Sequence, residues 1–109
     1  MTLEKKLKTI KTTLGISIDD VTLDNELSAY LDMAANEILN WMYINHPSDR
    51  PTETEVPLRY ENVQIQAVIY GYNHKGAEGE TVHNENGINR TFVYADMLDY
   101  IRSNVFQLI

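Results

Sequence analysis

The chain has 109 residues, no cysteine, 43% apolar and 23% charged residues, and a net charge of −7. That length fits a single domain (1–109) with a folded surface of about 6,200 Å² and a modest core; the missing thiols exclude disulfides, thiolate metal sites and cysteine nucleophiles together. With no apolar run long enough for a bilayer and no signal-like start in MTLEKKLKTIK, a soluble chain, intracellular at synthesis, is expected.

The first segment spaces Leu3, Leu7, Ile10 and Leu14 by four, three and four, which predicts a short amphipathic helix. Lys5, Lys6, Lys8 and Lys11 flank that stripe as its solvated face, and Gly15 stands where a left-handed C-cap belongs. These lysines make residues 1–11 net +3, while the rest carries five bases and fifteen acids, net −10. A body so acidic gains little counterion-release affinity for DNA, so tight nonspecific DNA binding is not expected.

Residues 16–24, ISIDDVTLD, read as a connection. A second helix is predicted from Asp24 or Asn25 to about Ile44, with Leu27, Tyr30, Leu31, Ala34, Ile38, Leu39 and Met42 on its buried face. His46-Pro47 and Pro51 end it, and PSDRPTETEVP, residues 47–57, is a surface loop. A third helix follows from about Leu58 to His74. Its apolar residues, including Val63, Ile65, Ala67, Val68, Ile69, Tyr70 and Tyr72, cover more than half its circumference, which predicts a central helix or one against a neighbouring subunit.

Three of the five glycines fall within GAEGETVHNENG, and Asn86-Gly87 suggests a tight turn between short extended pieces near Glu80–His83 and Ile88–Val93. An isolated hairpin of that size is marginal unless something packs on it. A last helix is predicted over Ala95–Asn104 with Met97, Leu98, Ile101 and Val105 as its apolar row, before a short apolar tail, VFQLI. The fold class is therefore mainly α: a bundle of about four helices with a glycine-rich loop or short β-hairpin between the last two.

Catalytic signatures are sparse. Glu78, Glu80, Glu85, Asp96 and Asp99 supply acid density for a metal-dependent hydrolase built on Glu78, Glu80 and Asp96, but on a loop and an exposed helical face they fit a solvated surface better. His46, His74 and His83 show no zinc spacing, no phosphate loop or nucleophile elbow is present, and GAEGE follows a helix with two glutamates that repel phosphate. No cofactor, metal or catalytic residue is assigned. Trp41 is placed in the core. Seven tyrosines, with Tyr70, Tyr72 and Tyr94 flanking the glycine segment, suit either a contact surface or a packed interior.

The residues from Tyr70 to Ile101 carry a resemblance. Tyr72, Asn73 and Lys75 precede Gly76-Ala77-Glu78-Gly79-Glu80; His83, Asn84-Glu85-Asn86-Gly87, Arg90, Thr91 and Phe92 follow in order. This pattern resembles the tailed-phage head–tail connector family, also called head completion, adaptor or putative DNA-packaging proteins. It departs at His74, where arginine is common, at Phe92, where tyrosine is, and after Asp96, which lacks the usual proline.

The resemblance implies a structural virion protein, not an enzyme. Its subunits would form a twelvefold ring that docks below the portal protein, extends the DNA channel and receives the next connector or tail protein. DNA is then only passing cargo and no membrane is involved; assembly takes place in the bacterial host cytoplasm. Candidate contacts to a neighbouring subunit or the portal are Tyr72, Asn73, Gly76, Glu78, Gly79, Glu80, His83, Glu85, Asn86, Gly87, Arg90 and Phe92. The alternative from charge alone is a small acidic regulatory protein that mimics DNA or captures a basic partner.

Overall fold

The computed structural model describes residues 1–52, 55–74, 82–85, 88–91 and 96–109. Helix α1 spans Leu3–Leu14, α2 Asp24–Met42, α3 Glu61–His74 and α4 Met97–Asn104, so the chain is mainly helical, with four α-helices among the described residues. Strands β1 (Val82–Glu85) and β2 (Ile88–Thr91) pair antiparallel, with Val82 opposite Thr91 and Glu85 opposite Ile88. The predicted turn residues Asn86 and Gly87 lie outside the described residues.

Local chemistry sets the helix ends. Thr2 caps α1, its hydroxyl accepting from the Lys5 amide at 3.1 Å. At the other end Gly15 takes φ 77°, its amide donating to the Thr12 carbonyl at 3.3 Å and the Ile16 amide to the Lys11 carbonyl at 2.8 Å. That pair of bonds closes the helix as a Schellman motif, which needs a residue tolerant of positive φ. Helix α2 stops two residues earlier than expected, at Met42, with Tyr43 as its C-cap. Leu58–Tyr60 forms a 3₁₀ turn rather than the first turn of α3. Pro57 leads into it, leaving one fewer amide to donate where the chain turns into the helix.

One buried cluster joins the elements. Leu27, Leu31, Ala34, Ala35, Ile38, Leu39 and Met42 of α2 meet Ile65, Ala67, Val68 and Ile69 of α3, with Ile10 from α1 and Ile101 from α4. Helix α3 packs against α1, α2 and α4, which accounts for its wide apolar arc by central packing within its own bundle. The four-residue rows of α2 face inward while Asp32, Met33, Asn36 and Asn40 stay exposed.

Two sequence expectations change. Lys11 is not on a wet face: only 3% of it is exposed, and its ammonium lies 2.5 Å from Asp24 Oδ1 at the start of α2. Its position directly after Ile10, one turn beyond Leu7, turns it inward, and the carboxylate across the gap makes burial of the charge tolerable. Trp41 lies at the rim of the core, half-buried; its indole N–H donates to the Val105 carbonyl at 3.1 Å while the Arg102 guanidinium sits 5.0 Å over the ring.

Candidate functional site

The end of α3 and the start of α4 lie side by side. A Cβ on Gly71 of α3 would lie 3.5 Å from the Met97 side chain in the first turn of α4, so the two helices run close there. The Tyr70 and Tyr100 rings stack beside that contact with centroids 5.9 Å apart and planes 17° from parallel. Asp96 caps α4, its carboxylate accepting from the Asp99 amide at 2.8 Å. The carboxylate that sequence reasoning offered to a metal site thus caps the first turn of α4.

Of the candidate contact residues, Tyr72 packs partly buried against the core at the end of α3, and Asn73 beside it is exposed. His83 and Glu85 belong to β1 and Arg90 to β2, and the register sets His83 directly opposite Arg90. Gly76, Glu78, Gly79, Glu80, Asn86, Gly87 and Phe92 lie outside the described residues. The site therefore reads as an antiparallel strand pair lying in sequence between α3 and α4, with no third strand beside it among the described residues.

Sequence reasoning missed a second group of residues, the polar contacts that fasten α1. Lys6 Nζ donates to Gln64 Oε1 at 2.6 Å, and Gln64, itself 4% exposed, donates through Nε2 to the Leu31 carbonyl at 3.0 Å. One glutamine thus links α1, α2 and α3. Its only sequence signal is a polar residue beside Ile65 within an apolar arc. Nearby, the Thr22 hydroxyl and then the Thr22 amide (3.0 Å) donate to Asp20, which holds its carboxyl below its ordinary value of 3.8.

Among the described residues no cluster of three or more histidines, aspartates or glutamates is arranged to hold a metal ion, and no helix is long and apolar enough to cross a membrane. The model of one protein family, phage gp6-like head-tail connector protein, matches residues 4–104. No curated protein matches the chain, and no solved structure does.

Proposed function

The chain belongs to the phage gp6-like head-tail connector protein family, and from that premise we propose that this structural virion component forms a homo-oligomeric ring below the portal, where it joins head to tail. The observation that carries the reading is the family match over 101 of the 109 residues, 4–104, which takes in α1 from its second residue, the other three described helices and both described strands. On this reading residues 1–109 act as one domain. The ring lengthens the DNA channel, and the acidic body lets the like-charged DNA backbone pass without sticking.

The strand pair supplies the reason to assemble. Two short strands alone are marginal in water, so a neighbouring subunit or the portal completes them. The contact residues we assign are Tyr72, Asn73, Gly76, Glu78, Gly79, Glu80, His83, Glu85, Asn86, Gly87, Arg90 and Phe92. Head-to-tail contacts that close by rotation give such a ring, for which we propose twelve copies. The next connector or tail protein docks on its far side.

Electron microscopy of lysates from a phage with an early stop codon in this gene tests the role. Heads that packaged and then lost their DNA, beside free tails, are expected. Normal infectious particles would overturn it and favour the acidic regulatory alternative.

A further inference from the structure

Resting on the ring reading above, we infer that the strand pair joins neighbouring copies edge to edge: β2 of one copy pairs with β1 of the next, and a continuous antiparallel sheet closes the ring. Two open strand edges of opposite charge in every copy carry the inference.

Among the described residues β1 and β2 pair only with each other. Along an antiparallel pair, successive residues alternate between bonding the partner strand and turning their amide and carbonyl away from it. Four residues per strand therefore leave two amides and two carbonyls on each outer edge, a template for one more strand. Proline, which denies an edge its donors, is absent from both strands.

Charge selects which edge meets which. Strand β1 carries Glu85 and no lysine or arginine, while β2 carries Arg90 and no carboxylate. Pairing β1 with β1 joins two acidic strands and β2 with β2 two basic ones; only β1 with β2 joins opposite charges. The unlike contact is also heterologous and propagates until rotation closes it. Either like contact is isologous and stops at a dimer with two edges still open. The strand directions agree. Copies related by rotation present their strands in the same sense, and β1 and β2 run opposite ways, so β2 of one copy lies antiparallel to β1 of the next.

The size of the closed sheet fits a channel. Two strands from each of twelve copies, at about 4.8 Å per strand, give a circumference of about 115 Å and a diameter of about 37 Å before any tilt. Closed sheets with fewer strands already leave an aqueous passage.

The test uses the full chain, whose lack of cysteine makes single cysteines clean probes. Val82 lies opposite Thr91 and Asn84 opposite Asn89, so these four positions share one face of the pair. Variants with one cysteine on β1, V82C or N84C, and on β2, N89C or T91C, are assembled alone and in equal mixtures, checked for rings by native mass spectrometry, and oxidised. Disulfide-linked dimers are expected from a β1 variant mixed with a β2 variant and not from either alone, because the bond forms only between closely apposed Cβ atoms. Linked dimers from a β1 variant alone refute the unlike pairing. Rings that give no cross-link in any of the four mixtures refute the edge contact and leave the ring standing. Amide exchange on the unaltered chain is the second measurement: the outward amides of β1 and β2 should slow by about tenfold or more when dilute monomer assembles. Equal rates in monomer and ring refute the edge contact as well. A chain that stays monomeric at high concentration refutes the ring and the contact together.

Discussion

Replacing Asp24 by asparagine should destabilise the protein far more than replacing Lys11 by methionine. Lys11 has a side chain 4% exposed and Asp24 one 30% exposed, so the amine depends on its partner more than the carboxylate does. Removing one member of a fully buried pair costs about 3–5 kcal/mol, chiefly because the other is left charged and dry. Two features reduce that here: Asp24 already reaches water, and the Asp20 carboxylate feels the Lys11 charge as well. About 2–3 kcal/mol remains for Asp24→Asn, a fall in melting temperature of about 10 °C for a chain of this size. Lys11→Met keeps the stem and discards the charge, at a cost of about 1 kcal/mol or less. The double variant should resemble Lys11→Met. Urea denaturation of the four proteins completes the cycle. Equal losses for both single variants, or an Asp24→Asn variant within about 0.5 kcal/mol of the parent, would refute the reasoning.

Gly71 lies mid-helix with φ in the ordinary range and room for a methyl group at normal contact distance from Met97, so Gly71→Ala should raise stability by about 0.5–1 kcal/mol. Gly15→Ala should lower it by about 1 kcal/mol, because a Cβ is disfavoured at φ 77°; thermal melts of the pair should move in opposite directions. Trp41→Phe removes the bond to the Val105 carbonyl and weakens the Arg102 stacking, for a loss of about 1–2 kcal/mol; a denaturation midpoint unchanged from the parent would rule this out. Asp20, held below 3.8 by the Thr22 hydroxyl and amide, adds stability that is complete above its unfolded value and is lost as pH falls through the folded one. Carboxyl titration by NMR should place it under 3.8 in the parent and higher in Thr22→Val, and a parent value at or above 3.8 contradicts the geometry.

The helices were legible because their signals are local and periodic. The Leu3–Leu14 stripe, Gly15 after it and the long apolar row of α2 each state an element without reference to the rest of the chain. The breadth of apolar residues on α3 also forecast a central position, which its packing against α1, α2 and α4 bears out. What the sequence concealed depends on partners far along the chain. Nothing local distinguishes Lys11 from Lys8, and only the arrival of Asp24 makes one a core residue and the other a surface one. Gln64 reads as a helical polar residue until Lys6 and Leu31 stand on either side of it. The family motif was readable for a different reason, as an ordered string of residue types, and seven of its twelve candidate contact positions lie outside the described residues.

The apolar tail did not register as structure at all, yet it is bonded across the molecule. Val105 is buried; the Phe106 amide donates to the Tyr60 hydroxyl at 3.1 Å, and the Leu108 amide to the Met42 carbonyl at 2.8 Å. Each bond spans 46 or more residues, so none can form early by local search. On the ribosome, α1, α2 and α3 can pair as they emerge, but the end of α2 and the Tyr60 hydroxyl must wait for residues 105–108. The tail is thus a closing step in folding, and the amides of Phe106 and Leu108 should be among the last to gain protection when the chain refolds.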